Sequence, residues 1–185
     1  KMYFGSDETL AGQTVGERLT KEHGGGKTLC IIQAQGSVAL EARCAGVKSG
    51  FANTENLQVN GADLPSVQQT IQSKLAEDPS ITNIVTLGAP IALAAIQAQA
   101  ASNNTAKVYT FDLNQDVAQA IKDGKIQFSV DQQPYVQGYM AVTALWLNIT
   151  NGNDIGGGKP TLTGPSIVDS TNIDQILPYT KNNKR

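Results

Sequence analysis

The sequence is poor in the residue types that metal sites, nucleic-acid interfaces and membrane spans require. One histidine and two cysteines are too few for the usual four-ligand structural zinc site. The 14 Lys and Arg residues against 16 Asp and Glu residues leave a net charge of −2 and no basic stripe for a phosphate backbone. The longest apolar run, residues 90–96, is far shorter than the roughly 20 residues of a membrane span. We therefore expect no metal, no cofactor, no nucleic-acid partner and no transmembrane helix.

Residues for nucleophilic catalysis are equally scarce. The sequence contains no G-x-S-x-G nucleophile elbow, and His23 is the only histidine available as a general base. A small hydrolase or transferase is therefore the least supported function, and we expect the chain not to be an enzyme.

What the sequence does contain is a regular alternation of short apolar runs and longer helical stretches. The helical stretches carry apolar stripes, and Asp7, Ser37, Pro65 and Pro90 stand where helices begin. This alternation predicts a three-layer α/β/α fold, Rossmann-like, with a mostly parallel sheet and right-handed crossovers. The predicted strands cover residues 28–34, 56–59, 83–87, 107–111, 126–130 and 161–168.

Sheets of this kind bind ligands at the carboxyl ends of their strands. The segments that follow the predicted strands are rich in Gly, Asp, Gln and Asn and contain no nucleophile–base pair: 35–37, 61–63, 88–90, 112–114 and 131–133. Such residues are small or form hydrogen bonds, as a binding site for a polar ligand requires.

One of these segments leads into a helix that carries Arg43. Gly36 permits a tight turn, Ser37 caps the helix, and Arg43 lies off the apolar stripe two turns later. Its planar fork of five donors suits a ligand rich in hydroxyl or carboxylate groups. The residues alone favour the alternative slightly, in which Arg43 is a surface arginine in a salt bridge.

Taken in order, the segments resemble a known family. The residues concerned are Gly5-Ser6-Asp7, Gly36…Arg43…Gly46, Phe111-Asp112, Asp131-Gln132-Gln133-Pro134-Tyr135 and Thr163-Gly164-Pro165-Ser166-Ile167-Val168. Nearly the whole chain resembles the C-terminal part of the periplasmic sugar-binding proteins of ribose-binding type (type I periplasmic binding proteins), the solute receptors of ABC importers. The same architecture occurs in the effector domains of LacI-type transcription regulators, which is the alternative function.

The resemblance implies binding of a monosaccharide or related polyol in a cleft between two lobes. It assigns ligand contacts to Arg43, Asp112 and Gln132, with Gly36, Gly88 and Asp131 as further candidates. Gly88-Ala89 departs from the Asn-Asp that is common in relatives, so ribose itself is not expected. The partners implied are a carbohydrate and the membrane permease of an ABC importer, at a periplasmic or extracellular location that allows a lipid anchor through a preceding segment.

The resemblance also implies a division of the chain. Residues 1–133 would form the C-terminal ligand-binding lobe, 134–160 a crossover helix and loop belonging to the N-terminal lobe, and 161–185 the final strand, hinge return and tail. About a hundred residues of the first lobe would precede this chain. Without them, the wide apolar face of residues 134–150 would be exposed, and we expect the chain to self-associate through it.

Cys30 lies in a predicted strand and Cys44 on the core-facing stripe of the next helix. An exported protein permits a disulfide. However, strand–helix spacing often exceeds the roughly 7 Å between Cα atoms that a disulfide can bridge, so we favour two free buried thiols.

Overall fold

The computed structural model describes residues 2–23 and 25–185, with the His23 side chain and Gly24 outside that description. Seven helices are described: Glu8–His23 (α1), Val38–Gly50 (α2), Leu64–Glu77 (α3), Ala89–Ala101 (α4), Gln115–Lys122 (α5), Pro134–Asn151 (α6) and Ile173–Thr180 (α7). Eight strands accompany them: Phe4–Gly5 (β1), Lys27–Ile32 (β2), Thr54–Gln58 (β3), Ile81–Thr86 (β4), Lys107–Phe111 (β5), Ile126–Asp131 (β6), Thr161–Leu162 (β7) and Ser166–Asp169 (β8).

The main sheet has six strands in the order β3-β2-β4-β5-β6-β8. All neighbouring strands are parallel except β8, which runs antiparallel to β6. One apolar cluster packs α3, α4, α5 and α7 on one face of the sheet, and a second packs α1 and α2 on the other. The predicted three-layer α/β/α fold with a mostly parallel sheet is therefore confirmed.

The predicted single strand over 161–168 is wrong, because the segment forms two strands in different sheets. β7 pairs in parallel with β1, whereas β8 joins the main sheet. Between them lies a cis Gly164–Pro165 peptide bond, and a proline nitrogen cannot donate to a strand ladder. The β1–β7 pair was not predicted, because two residues per strand are too few to show a period.

Helices α1 and α2 pack with their backbones in close contact. A Cβ atom at Gly12 would overlap the carbonyl of Arg43, and one at Gly46 would overlap the carbonyl of Thr9. Glycine at both positions therefore allows the two helices to touch. The first turn of α1, with Glu8, consequently lies beside the middle of α2, with Arg43.

Cys30 of β2 and Cys44 of α2 form a disulfide, with a Cα–Cα distance of 5.9 Å. Our expectation of two free thiols is therefore wrong. The general spacing of strands and helices did not apply, because Cys44 lies on the fully buried side of α2 against the strand that carries Cys30. The Cα separation lies within the range that a disulfide spans.

Helix α6 leaves more large apolar side chains exposed than any other helix that the structure describes. Within α6, all of which the structure describes, Ala144 is the one buried residue. Trp146 is 60% exposed and Ile149 is 74% exposed. Among residues 2–23 and 25–185, no helix has the length and apolar character that crossing a bilayer demands.

Candidate functional site

The side chains of Arg43, Asp112 and Gln132 meet at the carboxyl edge of the main sheet. Gln132 Nε2 donates a hydrogen bond to Asp112 Oδ1 over 2.5 Å. Arg43 Nη1 lies 4.0 Å from Asp112 Oδ2, at the outer limit of an ion pair. Asp112 directly follows β5 and Gln132 directly follows β6, which are neighbouring strands. The parallel pairing of these strands thus brings the carboxylate and the amide together.

Arg43 is 5% exposed and is held by three neighbours. Its Nε donates to Glu8 Oε2 over 2.5 Å, and its Nη1 donates to the carbonyl of Leu87 over 3.1 Å. Its guanidinium carbon lies 4.8 Å from the centre of the Phe111 ring. The salt bridge that was the alternative for this residue is therefore present, but it is buried, and it fixes the orientation of the guanidinium.

The backbone conformation of Asp112 is unusual. Its φ angle is 65°, in the left-handed region, which aspartate tolerates better than most side chains. Its backbone nitrogen donates to the carbonyl of Val130 over 2.9 Å, so the turn after β5 is tied to β6.

Burial raises the pKa of the Asp112 carboxyl, and this effect outweighs the hydrogen bond from Gln132 and the charge of Arg43, which both lower it. The negative charges of Glu8 and Asp131 raise the pKa further. The Asp112 side chain is nevertheless 43% exposed, so its carboxylate can accept further hydrogen bonds from a ligand.

The backbone of Gln132 is held by two side chains from other parts of the chain. Its carbonyl accepts hydrogen bonds from Thr163 Oγ1 over 2.7 Å and from Gln137 Nε2 over 2.9 Å. These donors lie in the loop after β7 and in the first turns of α6. Neither residue was predicted to have a role from the sequence.

The two candidate glycines contribute space and backbone geometry. Gly36 has a φ angle of 78° in the turn between β2 and α2, a conformation strained for other residues. Gly88 precedes α4, and a Cβ atom there would lie 3.0 Å from Gln33 Nε2. Glycine at position 88 therefore makes room for the Gln33 side chain.

Asp131 has protein partners on both carboxylate oxygens. Its side chain is 1% exposed, Oδ1 accepts from the backbone nitrogen of Gln133 over 2.9 Å, and Oδ2 accepts from Arg185 Nε over 2.7 Å. Asp131 is therefore a buried residue whose carboxylate fixes the backbone of Gln133, and both of its oxygens are already occupied.

Gln33 is a further candidate for the site, and it was not predicted from the sequence. The predicted strand extended to residue 34, whereas β2 ends at Ile32, so Gln33 is the first residue at the carboxyl edge. Its Oε1 is buried without a hydrogen-bond partner. Beside it lies an open cleft of about 600 Å³ whose lining includes several primary amides: Gln33, Gln35, Gln58 and Asn60.

The polar carboxyl edge of the main sheet is the region expected to face a ligand. Comparison with known proteins identifies the family of the chain. Residues 1–154 match the profile of a periplasmic binding protein domain. The chain belongs to this family. Membership of this family agrees with the three-layer α/β/α fold and the mostly parallel sheet described above.

Two solved structures of ligand complexes are similar to this chain. A carbohydrate transporter from Acidothermus cellulolyticus 11B, in complex with myo-inositol, is 51% identical with a TM-score of 0.95, over 100% of this chain and 64% of that one. An ABC transporter solute-binding protein from Burkholderia graminis C4D1M, in complex with D-arabinose, is 27% identical with a TM-score of 0.80, over 93% and 63%.

A curated relative is the xylose/arabinose-binding protein of Sulfolobus acidocaldarius, which is 27% identical over 185 residues. The match covers 95% of this chain and 46% of that protein. The chain thus spans about half the length of this curated relative and less than two thirds of the two solved relatives.

Proposed function

We propose that this chain is the C-terminal lobe of the solute-binding component of an ABC-type carbohydrate importer, and that it binds a neutral polyol or monosaccharide. The observation that carries the proposal is the Arg43–Asp112–Gln132 cluster at the carboxyl edge of the lobe. The 51% identity to a carbohydrate transporter in complex with myo-inositol supports a ligand of this class.

The chemistry of the cluster favours a ligand rich in hydroxyl groups. A hydroxyl group both donates and accepts, and the cluster offers a carboxylate that accepts, a guanidinium that donates and an amide that does both. The charge of Arg43 is already balanced by Glu8 and Asp112. An anionic ligand would therefore gain little from this arginine, whereas a neutral polyol can use all three groups.

In this proposal, residues 1–133 form the ligand-binding lobe, 134–160 belong to the other lobe, and 161–185 contain the return through the hinge. The exposed apolar face of α6 supports this division. Closure of the two lobes around the ligand would shift an open–closed equilibrium that a membrane permease can recognise.

The proposal includes a periplasmic or extracellular location and no enzymatic activity, cofactor or nucleic-acid partner. The Cys30–Cys44 disulfide supports export, because disulfides persist in oxidising compartments. A LacI-type effector domain is the weaker alternative, since the relatives described above are named as transporters or as solute- and sugar-binding proteins. A lipid anchor remains a prediction.

The proposal is tested by thermal unfolding and calorimetry of the intact protein with myo-inositol, D-xylose, D-arabinose and D-ribose. A ligand present at about 100 times its Kd stabilises the folded state by roughly 2.7 kcal/mol. We expect at least one of these compounds to do so, and Asp112→Ala to remove the effect. Asp116→Ala, at an exposed position on the following helix, is the matched control and should bind normally. The absence of stabilisation by every compound would contradict the proposal.

A further inference from the structure

An ion pair lies beneath the residues through which the chain leaves the lobe. Arg185 Nε donates to Asp131 Oδ2 over 2.7 Å, and Arg185 Nη2 donates to Ser166 Oγ over 3.1 Å. Asp131 is the last residue of β6, and its side chain is 1% exposed. A buried carboxylate that loses its charged partner is strongly unfavourable, so Arg185 stabilises the buried position of the Asp131 carboxylate.

Asp131 in turn fixes the conformation of the residues that follow it. Its Oδ1 accepts from the backbone nitrogen of Gln133 over 2.9 Å. Gln133 has a φ angle of 57°, a left-handed conformation that a residue with a side chain adopts at a cost. The Gln133 carbonyl then accepts from the backbone nitrogen of Gln137 over 3.1 Å, within the first turn of α6. The ion pair therefore stabilises the geometry with which α6 leaves the lobe.

The same segment presents Gln132 to the ligand cluster. Gln132 lies between Asp131 and Gln133 in the chain, and its amide donates to Asp112. Because only one peptide unit separates Gln132 from each neighbour, a displacement of Asp131 or Gln133 would also move the side-chain amide of Gln132. Arg185 and the proposed ligand are thus connected by a short series of direct contacts.

We propose that Arg185 is a positioning residue of this lobe: through Asp131, it holds Gln133 at the start of α6 and holds the Gln132 amide against Asp112. The part concerning Gln133 stands independently of any ligand. The part concerning Gln132 rests on the proposed function, so the two parts need separate measurements.

The first measurement is amide hydrogen exchange of Gln133 in the intact protein without ligand. Arg185→Ala should accelerate this exchange about tenfold or more, because the unpaired carboxylate leaves its buried position. In the double variant Arg185→Ala/Asp131→Asn, the exchange rate should return to within about threefold of the wild type. The amide side chain at position 131 is neutral and keeps an oxygen that accepts from the Gln133 nitrogen. Lys184→Ala, at an exposed neighbouring position, is the control. Unchanged exchange in Arg185→Ala, or a double variant as fast as the single one, would overturn the proposal.

The second measurement is the affinity for myo-inositol, taken at a temperature at which every variant is folded. Arg185→Ala should weaken binding about tenfold. The double variant should recover most of the wild-type affinity, and Arg185→Lys should lose less affinity than Arg185→Ala. A purely structural arginine would change the unfolding temperature and leave the affinity of the folded protein unchanged, which would overturn the part concerning Gln132. If the wild type binds none of the compounds tested, the proposed function fails, and the exchange measurement still decides the role of Arg185.

Discussion

The disulfide between Cys30 and Cys44 fastens α2 to β2 at the residue next to Arg43. The guanidinium that contacts Glu8 and Leu87 is therefore carried by a helix that is covalently joined to β2 of the main sheet. The disulfide restricts the unfolded chain, and in the folded chain it restricts the position of α2, which carries Arg43 of the proposed ligand cluster.

Reduction of this disulfide should lower the stability of the lobe. The cysteines are 14 residues apart, and closing a loop of that length in the unfolded chain contributes about 3 kcal/mol. We expect the urea midpoint to fall on addition of a reductant, while Cys30→Ala/Cys44→Ala should not respond to the reductant at all. Identical midpoints for the oxidised and reduced wild type would contradict this prediction.

The layers of the fold were predictable from the sequence because the runs at 83–87 and 107–111 are mostly apolar and β-branched, as in the buried strands β4 and β5. The segments after such strands, including 112–114, were predictable for the same reason, whereas the role of Asp112 within its segment was implied only by the family resemblance. Features that depend on which segments meet in space were not predictable. The β1–β7 pair is too short to show a period, and the Cys30–Cys44 bond depends on the local distance between a strand and a helix. Gln33 was missed because a strand boundary was placed two residues too late.

Asp112 should make ligand affinity sensitive to mild acid. Folding raises its pKa above the ordinary 3.8, so this group favours the folded state below pH 3.8, and that contribution is lost as the pH rises through the raised value. The ionised form is the one that accepts hydroxyl hydrogens, so affinity should fall as the pH drops through the raised pKa. Calorimetry with myo-inositol across this range should show the decline.

Two variants serve as references for that titration. Asp112→Asn should bind more weakly and without the acid-dependent decline, because its side chain does not ionise. Asp112→Ala should lose about 2–4 kcal/mol of binding, since it leaves ligand donors without an acceptor. A wild-type affinity that stays constant down to pH 3.8 would show that Asp112 does not contact the ligand.

Gln33→Ala should separate binding from stability. In the absence of ligand, Gln33 Oε1 is buried without a partner, and such an acceptor costs roughly 1–3 kcal/mol. Its removal should therefore offset the lost packing and change the free energy of unfolding by less than about 1 kcal/mol. Ligand affinity should fall about tenfold, equivalent to about 1.4 kcal/mol. Gln35→Ala, at an exposed position that lines the same cleft, should weaken ligand binding less than Gln33→Ala does. A larger loss of affinity in Gln35→Ala would refute a ligand contact by Gln33.

The 185-residue chain on its own should self-associate through residues 134–150. The apolar face of α6 consists of exposed side chains: Tyr135, Val136, Tyr139, Val142, Leu145, Trp146 and Ile149. Each such side chain gains about 1.5–3 kcal/mol when it is fully buried. In the proposed intact protein the other lobe covers this face, whereas in the isolated chain a second copy can do so in a symmetric dimer.

Light scattering of the isolated chain at increasing concentration measures this association directly. We expect a mass above that of the 19.5 kDa monomer, and a shift of Trp146 fluorescence to longer wavelength on dilution. Val142→Asp should give a monomer without loss of stability, because Val142 is 71% exposed within one copy. Val38→Asp is the matched control, because Val38 is 84% exposed on α2, away from this face, and its variant should still associate. A wild-type chain that stays monomeric at high concentration would show that water alone covers the apolar face of α6.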